Sequence, residues 1–435
     1  MDKIKCAFGE CKITPKPYET MLDGYGHRMM PNEGIRTDVY AKFAVLSVAQ
    51  ENFYFITLDI CYLCQELMDL LNEHIRLYCK IDTNKIVYCA SHTHTGPISG
   101  CIADQGMNLI YWHRKAEDIA RTLKSVIDNL EECTLELKTC DKELNYIYNR
   151  VGREEVDRRV LLSVFKNTNG EIKGVFVNVS CHCTCLNDDL ISGDYPAKMA
   201  ELLAKDYPSV PILFLQGRGG DTNPNRPLIP DDNVKLFETL GTEVYQAVKD
   251  GLNNLCGNVE KNVKLKSKRM TIDVPCVPLL TVEEYDKKIA EEYEHMYGEE
   301  TDVLKRWVLS EINYNKKCRE YVLKGLESKV QAELQALVIN SETIFVFMPF
   351  ELLCQTGNLI ESEMQKLGYK RGKIFVVGYT NVVKTYLPPK KYYDTEWYDI
   401  KGYDSATHWA GRPEYAENAE EVVIEKIVEL VKSIK

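Results

Sequence analysis

The chain has 435 residues, of which 45% are apolar and 27% charged, with 16 cysteines and a formal net charge of −11. That length suits one large α/β domain or two to three ordinary ones, and that composition buries a core without disulfide or metal staples. The negative balance excludes a general binder of nucleic acids or of anionic membranes, and the apolar runs are too short to span a bilayer.

The first residues, MDKIKCAFGECK, contain no apolar signal core, so the expected setting is the cytoplasm, with free thiols. Further along, KFAVLSVAQ and NFYFITLDI are β-rich runs on either side of a polar turn. QELMDLLNEHIRLYCK follows, with Leu67, Leu70, Leu71 and Ile75 at helical spacing. Just upstream, Cys61 and Cys64 form one CxxC, with no second pair at zinc-finger spacing. The next strand, KIVYCAS, ends in His92-Thr93-His94-Thr95-Gly96-Pro97.

The middle third repeats this order. RVLLSVFKNTNGEIKGVFVNVSCH reads as a hairpin with Asn-Gly at its turn, and PAKMAELLAKDY as a helix with Pro196 in its first turn. VPILFLQG then runs into Gly219-Gly220-Asp221-Thr222-Asn223-Pro224-Asn225. The last third does the same with QALVINSETIFVFMPFE, the helix LLCQTGNLIESEMQKL, and KIFVVGYTN before Lys384-Thr385-Tyr386-Leu387-Pro388-Pro389. The expected fold is α/β: a mixed β-sheet core of recurring strand–strand–helix–strand units flanked by helices, forming a single domain over 1–435. Residues 281–328 break the pattern. Their charge and helical period predict a helical insertion, opened by Thr281 and Glu284 at capping-box spacing, with Tyr285, Ile289, Tyr293 and Met296 as its apolar stripe. EEVVIEKIVELVKSI predicts one more amphipathic helix.

In α/β sheets ligands sit at the carboxyl ends of strands, and the unusual polar residues of this chain fall there. His92 and His94 are two apart, so they share one side of a strand end, and imidazole is the commonest side-chain metal ligand. His182 lies in Cys181-His182-Cys183-Thr184-Cys185. If the strand continues, it faces away from the three thiols, which then pack into the core; a thiolate cluster including His182 is the rival arrangement. Glu351 follows TIFVFMPF, where a carboxylate needs a lysine, an arginine or a metal. His92, His182 and Glu351 have the chemistry of a catalytic zinc site, though spacing alone does not bring them together. There is no HExxH and no GxSxG, and Gly217-Arg218-Gly219-Gly220 is neither a Walker A loop nor GxGxxG.

Ser91-His92-Thr93-His94-Thr95-Gly96-Pro97 resembles the SHTHSGP-type motif of the neutral/alkaline (non-lysosomal) ceramidase family. Asn149-Arg150, His182 with Leu190-Ile191-Ser192-Gly193-Asp194-Tyr195-Pro196, Gly220-Asp221-Thr222-Asn223-Pro224-Asn225, Met348-Pro349-Phe350-Glu351, and Tyr386-Leu387-Pro388 with Tyr393 and Tyr398 resemble further segments in family order. The resemblance implies one zinc ion held by His92, His182, Glu351 and Tyr386, with His94, Arg150 and Tyr398 at the reaction centre. It implies hydrolysis of an amide, with zinc acidifying its water and hydrogen-bond donors serving the oxyanion. Asn223 departs from the family's serine. Family ceramidases are typically longer, exported, and carry a C-terminal β-sandwich, so the reaction type transfers better than the substrate. A small or water-soluble amide is expected rather than membrane ceramide, contacted by Arg28, Arg218, Asp221 and Asn223, with no nucleic-acid partner and no membrane anchor. A metal-dependent lyase or isomerase acting beside a carbonyl, and a non-catalytic ligand-binding descendant, are the alternatives.

Overall fold

The computed structural model describes residues 3–100, 106–152, 156–255, 259–260, 263–340, 342–394 and 412–435. Three copies of one topology account for most of them. The first comprises β1 (Lys5–Lys12), β2 (Tyr40–Val48), β3 (Glu51–Leu58), α1 (Gln65–Cys79), β4 (Ile86–Ala90) and α2 (Leu109–Asp128). β1, β2 and β3 pair antiparallel, while β4 returns parallel to β3. The second repeats the order with β5 (Glu131–Thr139), β6 (Leu161–Asn167), β7 (Ile172–Val179), α3 (Asp194–Asp206), β8 (Ile212–Gln216) and α4 (Asn233–Asn253). The third has β9 (Leu265–Pro275), the helices α5 (Val282–Gly298) and α6 (Asp302–Leu323), then β10 (Lys329–Ile339), β11 (Thr343–Phe347), α7 (Cys354–Lys366), β12 (Ile374–Val377) and α8 (Ala419–Ile434). The recurring unit is thus longer than the sequence pattern predicts: each copy gains a leading strand and a trailing helix.

The first two units share one sheet, because β1 also pairs with β5 through Lys5↔Glu132 and Cys6↔Glu131; the third forms its own four-stranded sheet. Both faces of these sheets are buried, which explains the near-continuous apolar runs. Alternation along β3 shows the division of labour. Phe53 and Phe55 face a central core shared by all three units, while Tyr54 and Ile56 face α1 and α2. The other two units pack their helices over their own outer faces in the same way. At the centre Phe55, Phe176 and Phe345 meet, one from the middle of each unit, with ring centroids 4.6, 5.8 and 6.1 Å apart. These separations lie in the range where aromatic pairs attract beyond their buried area.

The helices α5 and α6 leave the sheet between β9 and β10, which pair from Leu265↔Ile339 to Pro275↔Lys329. They pack on each other around Tyr285, Tyr314 and Cys318, and Thr281 with Glu284 closes a reciprocal capping box. Arg306 of α6 is buried and donates to the carbonyls of Gly26 and Arg28. Among the described residues no helix is long and apolar enough to cross a membrane, and no cysteine is bridged.

The parallel pairs β3/β4, β7/β8 and β11/β12 are each joined by a helix, so their carboxyl ends carry the polar loops. His92 follows β4, His182 follows β7 and Glu351 follows β11. One residue from each unit therefore reaches the same spot.

Candidate metal centre

Both imidazoles are oriented by the same device. His92 has a left-handed backbone (φ 63°) two residues beyond β4; its amide donates to Ile60 O at 2.9 Å and its Nδ1 to Cys61 O at 2.9 Å. The His182 amide donates to Thr222 O at 2.8 Å and its Nδ1 to Gly219 O at 2.5 Å. A carbonyl only accepts, so each Nδ1 carries the proton and each Nε2 presents a lone pair. Those lone pairs point at Glu351, whose Oε2 lies 3.1 Å from His92 Nε2 and 3.5 Å from His182 Nε2. Glu351 is itself placed by a short parallel pairing, Glu351–Leu352 against Tyr386–Leu387, which sets Glu351 opposite Tyr386. The Tyr386 hydroxyl lies 3.0 Å from His182 Nε2.

This arrangement has an electrostatic defect. Burial raises the Glu351 carboxyl, but His92 and His182 hold it below its usual range, an effect that needs a proton on the imidazole nitrogens facing it. Burial lowers His182 to about 4, so near neutrality that imidazole is uncharged and does not compensate the carboxylate. Apart from the imidazoles, no cation pairs with Glu351 among the described residues. Three buried acceptor atoms converge without a positive centre, which a divalent cation with tetrahedral N/O preference fits. His92, His182 and Glu351 do form a group able to hold a metal ion.

A second such group, Cys61, His92 and His94, shares His92. It fits less well. The His92 nitrogen facing Cys61 is the one bonded to the Cys61 carbonyl, and burial, then Asp23, keeps the Cys61 thiol protonated. Cys64 caps α1, accepting from the Leu67 amide, so the CxxC does not act as a pair. Cys181, Cys183 and Cys185 lie in the core of the second unit, as strand alternation predicts.

His94 brings Nε2 to 3.1 Å from His92 Nε2, and its Nδ1 is buried without a hydrogen-bond partner. Burial, then His92 and His182, hold it well below the usual histidine range. Its ring lies against Tyr25 (4.8 Å between centroids) and against Gly24. Gly24 sits at φ 89°, and a Cβ there would lie 2.4 Å from His94 Cγ, so only glycine fits. Arg150 extends from the two-stranded antiparallel pair of Ile147–Asn149 with Thr222–Pro224, with its guanidinium 5.4 Å from the Tyr386 ring centroid. Asn223 lies in the same pair, and its Oδ1 is buried without a partner among the described residues. Tyr398 lies outside the described residues.

Three of the expected substrate contacts have other duties. Arg28 is buried; it donates to the carbonyls of Asp23, His94 and Asp188 and pairs with Asp189 at 3.2 Å. It thus braces the backbone behind His94. Arg218 is buried between Asp157 (3.3 Å) and Glu361 (2.7 Å). Asp221 accepts from the Cys354 amide at 2.8 Å and from Asn149 at 2.9 Å, tying the second unit to the third. Charge was legible at these positions, but not the partners, which are up to 161 residues away.

Sequence reasoning passed over Tyr379, two residues beyond β12 and wholly buried, whose ring centroid is 4.4 Å from that of His92. Its signal was available: a polar-tipped residue directly after an apolar strand, as with His92 after β4. A hollow of about 840 Å3 lies elsewhere, between α3 and the strands β1 and β2. Its charged lining is largely paired already, Lys173 with Glu131 and Arg36 with Asp188, so it offers no convergent set of reactive groups.

The fold and site together describe an α/β protein with a candidate metal centre at its strand ends. No family model and no curated protein matches the chain. Among solved structures it is similar to the neutral ceramidase from Pseudomonas aeruginosa, with a TM-score of 0.75 and 16% identity over 99% of this chain and 74% of that one. A ceramidase complexed with C2 gives a TM-score of 0.75 at 15% identity, covering 99% and 75%. The chain therefore has the neutral ceramidase fold.

Proposed function

We propose that this protein is a zinc-dependent hydrolase that cleaves an amide bond. The carrying observation is the convergence of His92 Nε2, His182 Nε2 and Glu351 Oε2 on one buried point without a compensating charge. Its setting supports the reading: the fold is that of solved ceramidase structures.

His92, His182 and Glu351 would hold the ion, with the Tyr386 hydroxyl as a fourth oxygen. Bound there, zinc supplies a Lewis acid and a water acidified toward neutrality. The protein's own groups do the rest. The carbonyls of Cys61 and Gly219 keep both imidazoles in the Nδ1–H tautomer, so neither needs to reorganise on binding. Arg150 supplies positive charge on the Tyr386 side for an oxyanion, and His94, held neutral, is the group poised to take a proton from the attacking water and pass it to the leaving amine. Gly24 and Tyr25 fix the His94 ring for that transfer. Tyr398 belongs to the same proposal as a further donor.

The substrate we propose is small or water-soluble rather than membrane ceramide. A net charge of −11 repels anionic lipid, although Arg28 and Arg218 no longer support a cationic mouth. The test measures amine released from short N-acyl amino compounds and from ceramide in detergent, with and without a zinc chelator. Chelator-sensitive release, faster from the small amide, is expected. Release that survives complete removal of metal contradicts the zinc reading, and a tenfold preference for ceramide, about 1.4 kcal/mol, contradicts the substrate reading.

A further inference from the structure

Among the described residues, Tyr379 is a large polar side chain against the imidazoles to which the proposed reaction gives no task. Its ring centroid lies 4.4 Å from that of His92, tilted by 36°, and 6.2 Å from that of His182, edge-on at 89°. The hydroxyl is buried and has no hydrogen-bond partner. Such an atom is uncommon in a folded protein and costly unless something polar meets it. The backbone is equally unusual, left-handed at φ 55°, which a bulky residue adopts only when its surroundings impose it.

Those surroundings are the two strand ends that carry the site. The Tyr379 amide donates to Phe350 O at 3.0 Å, directly before Glu351, and its carbonyl accepts from the Ala90 amide at 3.1 Å, two residues before His92. Tyr379 and His92 also occupy equivalent places, each two residues past the last strand of its unit and each left-handed. A phenol hydroxyl donates as well as accepts, and this one belongs to the ring lying against the imidazole that Glu351 meets at 3.1 Å. Among the described residues Glu351 Oε2 is likewise buried and receives no hydrogen bond, and a carboxylate oxygen that serves a metal ion keeps a second lone pair. Two atoms of complementary character, both unpartnered in one site, are what an ordered water bridges.

We propose that Tyr379 is a positioning residue of the metal centre: its ring sets the planes of His92 and His182, and its hydroxyl supports Glu351 through one bridging water. The inference rests on the zinc reading above. Groups that orient metal ligands in this way typically change metal affinity or activity by about 10- to 100-fold when removed.

The test is zinc affinity of the whole protein, measured by competition with a chromophoric chelator, for the parent, Tyr379→Phe and Tyr379→Leu. Melting of the metal-free forms is followed in parallel. Tyr379→Phe keeps the ring and removes only the oxygen; it should bind zinc about tenfold more weakly while melting like the parent. Tyr379→Leu should lose up to about 100-fold. Tyr379→Phe binding as tightly as the parent overturns the hydroxyl's role, whatever Tyr379→Leu does, and Tyr379→Leu binding no worse than Tyr379→Phe overturns the ring's. A parent that binds no zinc sinks the metal reading and this inference with it, whereas a tight parent with an unchanged Tyr379→Phe sinks this inference alone.

Discussion

Two buried charged clusters sit at the strand ends, and they are built on opposite principles. In one, Arg159 grips Asp157 at 2.7 and 2.9 Å and Glu361 at 2.7 and 2.9 Å, while Arg218 adds contacts to both acids. Two arginines meet two anions, with exposed Arg371 at the edge 4.0 Å from Glu361, and both carboxyls are held below their usual range: burial opposes this, but Arg218 and Arg159 outweigh it at Asp157, and Arg159 and Arg218 at Glu361. In the other, Glu351 faces two imidazole lone pairs. Arg218 stands two residues past β8, the place that His92 occupies past β4. One backbone position thus carries an ion pair in one unit and a ligand-like imidazole in another. The difference teaches that burial of charge is not itself a functional signal; the functional signal is a buried charge whose neighbours fail to close it.

The contrast breaks most sharply within the histidines. His92→Ala should lose zinc and turnover together, whereas His94→Ala should keep zinc and lose roughly 10²–10⁴-fold in kcat. Metal content and kcat measured on both variants check this; zinc loss from His94→Ala with retention in His92→Ala would mean their roles are exchanged.

Opening the closed cluster comes next. Arg218→Ala leaves two buried carboxylates with Arg159 and only the exposed Arg371 besides, and should cost about 3–5 kcal/mol of stability, read by chemical denaturation, without changing zinc stoichiometry in the folded protein. A variant as stable as the parent would mean that the cluster is less buried than its geometry shows.

The smallest effect is in acid. His182 is lowered from its ordinary 6.5 to about 4, so between those values the unfolded chain binds more protons than the folded one. Stability of the metal-free protein should therefore fall as pH drops through that window, and His182→Gln should flatten the slope. The closed cluster behaves differently: its carboxyls are depressed, so their stabilisation holds above the ordinary carboxylate range and is lost only as pH falls below it.

Much of the site was legible because metal-binding chemistry uses conspicuous residues at conspicuous places. His92, His182 and Glu351 each end an apolar run, and the three-fold recurrence of strand, strand, helix and strand was visible in pattern. The leading strands were not, for a physical reason: KCAFGECK, EECTLELKT and LKSKRMTIDVP are interspersed with charged residues and so read as surface. Arg28, Arg218 and Asp221 read as substrate contacts because sequence shows a charge but not its partner. Their polarity serves the joints between units: Asp221 reaches the Cys354 amide, and Arg218 reaches Glu361 of α7. Tyr379 carried a positional signal, a polar tip after an apolar strand, but a tyrosine there also reads as ordinary core, and the unpartnered hydroxyl is what singles it out.

The central claim is that one metal ion completes the open cluster. Anomalous diffraction at the zinc edge from crystals of the zinc-loaded protein tests it directly. A single peak is expected, at roughly 2.0–2.2 Å from His92 Nε2, His182 Nε2 and a Glu351 oxygen. No peak at that point, or a peak held by the Cys61 thiol instead, would contradict it.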